Sequence, residues 1–453
     1  MRSSWPGGGP GGSLPAMSLH LTQPERDLLA GRSGEAAALA MRVVTSAAEL
    51  LGAESLVEIS SAHIDGCLHH GDGGVEFAEA LLKGDGQVVV PTTLNVGALD
   101  LLHPNVVRAD GHKTDMARRQ MQAYVAMGAE PTFTCAPYQV GHEPGVGEQV
   151  AWGESNAIAF VNSVLGARTE RYGDFLDACC ALTGRAPLFG LHLEENRTAK
   201  VIVDATNVPE ALKSRDVFYP VLGTWLGLEL GQEIPVIKGL PRTTTRDQLK
   251  ALGAAAASSG AVALFHVAGV TPEAPTVQAA LSLGREEDSA GPVEWVSQAI
   301  PHLPRTIHLE SGGLQHALSR LSTAADTERI DAVALGSPHF SASEFRALHH
   351  CVRGRQLGVP FYVCTARDTL AEVESAGIAD ELRAAGVEIV ADTCVVVTPI
   401  LPARDGVLMT NSGKFAHYGP SNTGYDVLYG SLEDCVESAI TGDVMRSDEV
   451  WAW

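Results

Sequence analysis

Short apolar, β-branched segments alternate with helix-like segments through the second half of the chain. Six of them predict strands: residues 200–205, 261–269, 306–310, 330–336, 360–366 and 386–392. Helix-like segments, such as residues 341–354 and 375–386, lie between some of these strands. This alternation predicts an α/β fold with parallel sheets flanked by helices. Ligands in such folds bind beyond the carboxyl ends of the strands, so a functional site is expected in the loops that follow them.

The first half of the chain has a similar pattern. Residues 21–51 are helical in their apolar spacing, with Thr22 as a candidate N-cap. Residues 55–60 and 87–95 predict strands that run into polar loops, and residues 112–128 predict a helix. A chain of 453 residues is long enough for several subdomains. The predicted division is a Gly/Pro-rich disordered tail (1–16), an N-terminal part (17–198), an α/β part (199–400), a C-terminal active-site loop segment (401–440) and a tail (441–453).

The charge of the chain excludes one class of partner. There are 54 acidic and 32 basic residues, a formal net charge of −22. A nucleic-acid-binding surface needs clustered Lys and Arg, so it is not expected, whereas an anionic small substrate needs only a few local cations. No apolar run approaches the roughly 18–20 residues of a membrane span. The start of the chain lacks an apolar signal core, so we expect a cytoplasmic protein whose translation begins at Met1 or Met17.

The cysteines offer a possible metal site. Eight of them are scattered without any C-x-x-C pair, which argues against a disulfide framework and a zinc ribbon. Cys135, Cys364 and Cys394 lie in or near predicted strand-end loops. Three thiolates suit an iron–sulfur cluster, and the absence of a fourth protein ligand would leave one iron as a Lewis acid. The alternative is that Cys364 and Cys394 are ordinary residues of the strand core.

Residues 132–157, "TFTCAPYQVGHEPGVGEQVAWGESNA", join Cys135 to the start of a predicted helix at 154–166. Four short uncharged side chains share an arc of about 120° on that helix: Ser155, Asn156, Asn162 and Ser163. A solvated helix face normally carries Lys and Glu. This face is therefore expected to turn toward a polar cavity or to pack against another backbone.

Common catalytic motifs are missing from the sequence. It contains no G-x-x-x-x-G-K-[ST], no G-x-S-x-G and no H-E-x-x-H, so nucleotide, serine-hydrolase and zinc-protease functions lack support. Lys414, with His417 and Tyr418 nearby, lies in a Gly-rich stretch. His63 and His339 are single histidines, which are more often structural than catalytic.

Eight segments together resemble one family, the large catalytic part of the aconitase X proteins. They are "ISSAHIDG", "VPTTLN", "MGAEPTFTCAPYQ", "GEQVAWGESNAIAFVNSVLGART", "LTGRAP", "LGSPHFS", "ADTCVVV" and "TNSGKFAHYGP". They follow the family's order from about residue 18 to residue 440, so the resemblance covers almost the whole chain.

The resemblance implies an iron–sulfur-dependent hydro-lyase, a lyase that removes water from a small β-hydroxy acid. Two activities of the family are the dehydration of cis-3-hydroxy-L-proline and of mevalonate 5-phosphate. Such chemistry needs a base near Cα, a Lewis acid on the leaving hydroxyl and donors for the carboxylate. The main hypothesis is a cis-3-hydroxy-L-proline dehydratase. The alternatives are a mevalonate 5-phosphate dehydratase and a non-catalytic binding protein. The cluster type, 2Fe-2S, 3Fe-4S or 4Fe-4S, stays open.

The resemblance also implies roles for individual residues. Cys135 and Cys394 match two of the family's cluster ligands, and Cys364 is the candidate for the third. Ser337 stands where the archaeal type has a ligating cysteine, which favours the hydroxyproline enzyme. The candidates for proton transfer or carboxylate binding are Glu154, His63 and Lys414. The expected pocket donors are Thr92, Thr93, Asn95, Ser155, Asn156 and Arg168.

Two further expectations follow from the resemblance. Glu170 replaces an expected Asn, and its carboxylate would favour a cationic imino acid over a phosphate. The family's small domain, fused in some members and separate in others, has no counterpart in this sequence. A separate small subunit is therefore predicted, which would close the active site and form a heterodimer.

Overall fold

The structure is a computed structural model that describes residues 19–284, 304–324, 326–402 and 405–447. The predicted tail at residues 1–16 lies outside these ranges, as do residues 448–453 of the predicted C-terminal tail. No helix in the described ranges is both long enough and apolar enough to cross a membrane.

The N-terminal region is built on a small parallel sheet. Its elements are α1 (Gln23–Leu29), α2 (Glu35–Leu51), β1 (Leu56–Glu58), β2 (Ser61–Ile64), α3 (Asp72–Lys83), β3 (Thr92–Leu94), α4 (Gly111–Ala126), β4 (Val150–Trp152), α5 (Ser155–Phe160), α6 (Leu176–Thr183) and β5 (Arg185–Pro187). The sheet has the order β3-β2-β4, and β1 pairs with β5 antiparallel beside it. Strand β2 is therefore flanked on both sides by parallel strands.

The middle region contains a second parallel sheet. Its elements are β6 (Val201–Asp204), α7 (Glu210–Lys213), α8 (Phe218–Leu230), β7 (Pro235–Lys238), α9 (Arg246–Ser259), β8 (His266–Val267), α10 (Val277–Ser282), β9 (Arg305–His308) and α11 (Ser311–Ser319). The sheet order is β8-β7-β6-β9. Thr245 caps α9 through a capping box with Gln248, which fixes where this helix begins.

The C-terminal region contains the largest sheet. Its elements are β10 (Ala332–Phe340), α12 (Ala342–Val352), β11 (Phe361–Thr365), α13 (Arg367–Ser375), α14 (Ile378–Ala384), β12 (Val387–Ala391), β13 (Val407–Thr410), α15 (Gly413–Thr423), β14 (Asp426–Tyr429) and α16 (Leu432–Thr441). All neighbours in the order β12-β11-β10-β13-β14 are parallel. The predicted α/β fold with parallel sheets and flanking helices is confirmed.

Several predicted boundaries are wrong for identifiable reasons. The single helix expected at residues 21–51 is two helices, because the chain turns at Gly31 and Gly34, whose φ angles are 80° and 103°. The strand expected at 87–95 is limited to Thr92–Leu94. The backbone N–H groups of the preceding Val88 and Val89 donate to carbonyls near the ends of α4 and α6 and not to a neighbouring strand. The strand expected at 261–269 is limited to His266–Val267.

One apolar core joins the two larger sheets to the predicted cluster residues. It packs side chains of α8 and α9 against β6 and β7, and it contains buried residues of β10 and β11. Cys135, Cys364 and Cys394 all belong to this core. The thiols are therefore placed at the junction of the three regions and away from bulk water.

Candidate active site

The small sheet aligns polar side chains from three adjacent strands. His63 on β2 pairs in register with Thr93 on β3 and with Trp152 on β4. Side chains two positions apart on a strand share one face. Asn95, Asp65 and Glu154 follow these three residues by two positions, so they form a second row at the carboxyl ends of the strands. We call this row, Asn95–Asp65–Glu154, the strand-end row.

In the first row, which consists of Thr93, His63 and Trp152, the imidazole of His63 is buried and neutral. Its Nδ1 lies 2.8 Å from Thr93 Oγ1, and its ring lies 5.8 Å from the Trp152 ring. Burial, with a smaller effect of the neighbouring His142, lowers the pKa of His63 to about 3. Within the described residues, His63 Nε2 has no hydrogen-bond partner. This atom is therefore available to a bound molecule.

Glu154 is held in a strained position at the start of α5. Its φ of 68° is unusual for a non-glycine residue. As the N-cap of the helix, its Oε2 accepts hydrogen bonds from Asn156 Nδ2 at 2.8 Å and Ala157 N at 3.0 Å. Its Oε1 accepts a hydrogen bond from Lys414 Nζ and another from Ser155 Oγ, the latter at 3.3 Å.

Glu154 and Lys414 form a buried ion pair, with 6% and 12% of their side chains exposed. Burial alone would raise the pKa of Glu154, but the Lys414 ammonium holds it below its usual value. Burial alone would lower the pKa of Lys414, but the Glu154 carboxylate raises it well above its usual value. Both groups are therefore charged at neutral pH, and the structure brings these two predicted residues into direct contact.

Asp65, which is not among the residues predicted from the sequence, lies between Asn95 and Glu154 in the strand-end row. Asn95 Nδ2 donates to Asp65 Oδ1, and the backbone N of Asp65 donates to Asp177 Oδ2 at 2.6 Å. Loss of hydration and, to a smaller extent, the neighbouring Glu154 carboxylate raise the pKa of Asp65 to about 6. The period of two along β2, starting from His63, would have pointed to Asp65.

Three of the predicted pocket donors have other contacts. Thr92 Oγ1 donates to Val90 O at 2.8 Å, and Arg168 forms an ion pair with Glu194 at 2.9 Å. Asn156 contacts the site through its side chain, which donates to the carbonyl of Cys135. The roles of Thr92 and Arg168 in binding stay predictions.

Glu170 makes hydrogen bonds to the backbone of its surroundings. Its carboxylate accepts hydrogen bonds from Leu191 N and Arg171 N, both at 2.8 Å. Through these contacts the Glu170 carboxylate fixes the backbone around it. The expected preference for a cationic imino acid stays a prediction.

The polar face of the helix has two different environments. Ser155 and Asn156 lie beside Glu154, as described above. Asn162 Nδ2 donates to the carbonyls of Thr169 and Ala263, and Ser163 Oγ accepts from a backbone N–H. The second pair thus packs against backbone, one of the two expected outcomes. The predicted single helix changes pitch, because residues Val161–Leu165 form a π-helical turn.

The predicted cysteines converge. Ligand atoms of Cys135, Cys394 and His339 all lie within 4.8 Å of one another, and all three residues are buried. Cys364 lies close enough to Cys394 to raise the pKa of the Cys394 thiol, as Cys135 also does. The structure thus brings Cys135 and Cys394 together with His339, and it places Cys364 beside Cys394. We call Cys135, Cys364, Cys394 and His339 the thiol–imidazole group.

His339 was interpreted as structural from the sequence, but it belongs to this group. Its Nδ1 lies 2.9 Å from Thr134 Oγ1, and its Nε2 lies 3.2 Å from Thr393 O. Its backbone N–H donates to Cys135 Sγ at 3.3 Å. The sequence feature that could have revealed it is its position at the carboxyl end of β10, beside the strand that carries Cys364.

A cavity of about 680 Å³ is lined by Ser337 and Pro338, which directly precede His339 in the chain, but by no member of the thiol–imidazole group. Its lining includes Arg215, Lys250, Ser337, Ser412 and Lys414. Ser337, which replaces the archaeal cysteine, is buried, and its carbonyl accepts a hydrogen bond from Ser412. Lys414 lines the cavity and also binds Glu154, so it connects the cavity to the strand-end row.

Comparison with protein families gives three consecutive matches. Residues 18–195 match the aconitase X first domain, residues 199–295 the second domain and residues 330–441 the third domain. Together these matches cover most of the chain.

Curated relatives fall into two groups. The chain is 43% identical to cis-3-hydroxy-L-proline dehydratase from Pseudomonas aeruginosa, over 92% of this chain and 69% of the relative. It is 42% identical to the protein of that name from Hypocrea jecorina, over 94% of this chain and 69% of the relative. It is 36% identical to the phosphomevalonate dehydratase large subunit from Methanothermobacter thermautotrophicus, over 91% of this chain and 96% of the relative.

A solved structure shares the fold. Aconitase X from Thermococcus kodakaraensis, in its holo-form, superposes with a TM-score of 0.79 at 31% sequence identity. The similarity covers 93% of this chain and 100% of the solved chain.

Proposed function

Because this chain belongs to the aconitase X family, we propose that it is the large, catalytic subunit of a cis-3-hydroxy-L-proline dehydratase. The predicted family and reaction class, a hydro-lyase, are confirmed by curated dehydratases that are 42–43% identical over most of the chain. The same identities support the substrate, because the phosphomevalonate dehydratase large subunits reach only 29–36%.

The observation that carries the proposal is the position of the buried Lys414 ammonium close to Cys135 of the thiol–imidazole group. Lys414 lines the cavity, binds Glu154, and is close enough to Cys135 for their charges to interact. A β-hydroxy acid needs a cation for its carboxylate and an electrophile for its hydroxyl. We propose that Lys414 binds the carboxylate, and that Glu154, fixed by Asn156 and the start of α5, orients Lys414.

The thiol–imidazole group fits an iron–sulfur cluster. Cys135, Cys394 and His339 converge with their ligand atoms within 4.8 Å of one another, and Cys364 is a buried neighbour of Cys394. Backbone N–H groups donate to two of the thiols, His339 N to Cys135 and Val395 N to Cys364. Such hydrogen bonds stabilise thiolate ligands. We propose Cys135, Cys364 and Cys394 as the ligands, with His339 beside them and the cluster type undetermined. The bound cluster would supply a Lewis acid that weakens the bond to the leaving hydroxyl.

His63, Thr93 and Asn95 are proposed as polar contacts of the substrate ring. His63 Nε2 and Asn95 Oδ1 have no hydrogen-bond partner among the described residues, which supports this role because buried polar atoms normally have partners. Ser155, which bonds the Glu154 carboxylate, is proposed to contribute through that residue. A cytoplasmic location and the division of the chain given above stay predictions.

We also propose a separate small subunit as partner. Five curated relatives carry the name "large subunit", and the chain covers 96–100% of the length of each. It covers 69% of the two cis-3-hydroxy-L-proline dehydratases. The heterodimer prediction is supported by these names and not by any contact in the structure.

The test is an assay of the chain produced anaerobically together with its small subunit, with both substrates in separate reactions. We expect turnover of cis-3-hydroxy-L-proline. Turnover of mevalonate 5-phosphate alone would assign the chain to the other enzyme. Full activity of the chain without the small subunit would contradict the proposed partner.

A second measurement tests the ligands by iron and sulfide analysis with visible absorption spectroscopy. We expect Cys135→Ala and Cys364→Ala to lose most of their iron. Cys351→Ala is the matched control, because Cys351 is a half-buried cysteine outside the thiol–imidazole group. A wild-type sample that is colourless and free of iron would favour the non-catalytic binding protein.

A further inference from the structure

We propose that Asp65 is the base that removes the α-proton of the substrate, and that Glu154 has a positioning role only. This inference rests on the proposed function and names a residue that the sequence analysis did not include. It starts from the strand-end row, in which Asp65 lies between Asn95 and Glu154 at the carboxyl ends of parallel strands. Catalytic groups in such sheets typically occupy this edge.

Glu154 has no oxygen free for proton transfer. Its Oε1 is bound by Lys414 and Ser155, and its Oε2 is bound by Asn156 and Ala157. Removing a proton with this carboxylate would break the buried ion pair with Lys414. A carboxylate held in this way is a weak base, because each of these contacts stabilises its charged form.

Asp65 has the opposite arrangement. Its Oδ1 accepts from Asn95, and no hydrogen bond from the described residues reaches its Oδ2. The residue is half-buried, whereas Glu154 is buried, so Oδ2 remains accessible to a small molecule. A base must come within hydrogen-bond reach of the proton that it takes, and Asp65 meets this requirement with one free oxygen.

The backbone around Asp65 is fixed by two neighbours. Asp177 Oδ2 accepts from Asp65 N at 2.6 Å. Gly153 packs directly against Asp65, since a Cβ at position 153 would lie 2.6 Å from Asp65 Cβ and 3.0 Å from Asp65 N. This glycine is joined to β2 by a 2.7 Å hydrogen bond from its N–H to His63 O. The position of Asp65 is therefore set by two elements that are far apart in the sequence.

The charged groups that face Asp65 suit a base that works near neutral pH. Glu154 after β4 and Asp174 before α6 raise its pKa, Lys414 on α15 lowers it, and loss of hydration is the largest influence. The resulting pKa of about 6 leaves the carboxylate ionised at pH 7 to 8 but more basic than an ordinary aspartate. Asp177, whose own pKa is raised to about 7, faces the backbone of Asp65.

The proposed step balances without any further reactant. The bond from Cα to hydrogen breaks, and the proton moves to Asp65 Oδ2. The released electron pair forms the double bond between Cα and Cβ, and the bond from Cβ to oxygen breaks as hydroxide leaves. The hydroxide takes up a proton from solvent and departs as water, and loss of the captured proton to solvent restores the Asp65 carboxylate.

The test compares Asp65→Asn and Asp65→Glu with wild type, each produced with the small subunit and with cis-3-hydroxy-L-proline as substrate. Asn keeps the size of the side chain but cannot accept the proton, so we expect kcat to fall by about 10²–10⁴-fold with KM and iron content preserved. Asp65→Glu should restore part of the activity. Asp72→Asn is the control, because Asp72 is an exposed carboxylate on α3 whose loss should leave kcat unchanged.

Two further readouts separate proton transfer from a structural role. In wild type, kcat/KM should rise with pH through about 6, and this dependence should be absent from the residual activity of Asp65→Asn. Substrate that carries deuterium at Cα should also react more slowly than unlabelled substrate in wild type, because the proposed step breaks this bond.

Each other outcome overturns the assignment. Unchanged kcat in Asp65→Asn would show that the carboxylate is not the base. Loss of iron or of folding in Asp65→Asn would mark Asp65 as structural, as would a well-folded Asp65→Glu with no more activity than Asp65→Asn. A wild-type enzyme that turns over neither hydroxyproline nor mevalonate 5-phosphate would overturn the proposed function together with this inference.

Discussion

The substitution Gly153→Ala tests how the strand-end row is held in place. Gly153 does not have a positive φ, so alanine is compatible with its backbone conformation, and the effect is one of space alone. The added methyl group would lie 2.6 Å from Asp65 Cβ and 3.0 Å from Asp65 N, and it would also meet Asp177 Oδ2. These atoms cannot simply move apart, because Asp177 Oδ2 already binds Asp65 N at 2.6 Å.

The size of the effect follows from these contacts. Overpacking a well-packed core by one methyl group costs about 1–3 kcal/mol. Each kcal/mol lowers the Tm of a large domain by roughly 2–4 °C, so a loss of several degrees is expected. The effect on rate should be larger, since displacing a reacting group by about 1 Å costs on the order of 100-fold. We therefore expect a strong loss of kcat in a protein that remains folded at the assay temperature.

The assay combines thermal unfolding with steady-state kinetics on the assembled enzyme. Gly73→Ala is the matched control, because Gly73 lies in α3, has open space around its Cα and has no positive φ. Alanine is preferred over glycine in a helix by up to about 1 kcal/mol, so its Tm should be equal to or above that of wild type. Wild-type Tm and kcat in Gly153→Ala would refute the reasoning about this packing.

Other perturbations test buried charges away from the thiol–imidazole group. Burial raises the pKa of Asp177 from 3.8 to about 7, so the folded protein holds this proton more tightly than the unfolded chain does. The stability that this proton contributes is complete below about pH 4 and is lost as the pH rises toward 7. The Tm of Asp177→Asn should therefore fall less between about pH 5 and pH 8 than the Tm of wild type does. An identical pH dependence of the two Tm values would contradict this. Arg197→Met should destabilise the protein by about 3–5 kcal/mol, because it leaves the buried Glu273 carboxylate without its partner. Arg119→Met, which removes an exposed ion pair, should cost at most about 1 kcal/mol in the same urea unfolding experiment.

The fold was predictable where apolar strands and helices alternate strongly. The predicted strands at residues 200–205, 330–336, 360–366 and 386–392 correspond to β6, β10, β11 and β12. Strands β13 and β14 were missed, because four-residue apolar segments between loops do not differ from other short apolar runs. The strand predicted at 261–269 fails for the converse reason, since most of that apolar segment is buried as irregular backbone.

The candidate site was predictable residue by residue, but its arrangement was not. His63, Asn95 and Glu154 were each chosen from a different sequence segment, and their alignment depends on the register between strands, which the spacing along the chain does not encode. Asp65 was overlooked because an Asp-Gly pair after a strand resembles an ordinary turn. His339 was overlooked because a single histidine gives no indication of the thiols that surround it.

The register also explains why the site depends on one strand. A shift of β2 by one residue would move His63 and Asp65 to the opposite face of the sheet, since side chains alternate with a period of exactly two along a strand. Strand β2 resists such a shift because it pairs with β3 on one side and β4 on the other. Its four strand residues are all buried, so a slip would also exchange the buried positions of the polar Ser61 and His63 with those of the apolar Ala62 and Ile64. The placement of Asp65 beside Glu154 is thus stabilised by the same burial that holds the small sheet together, and any variant that alters the pairing of β2 should lose activity before it loses the fold.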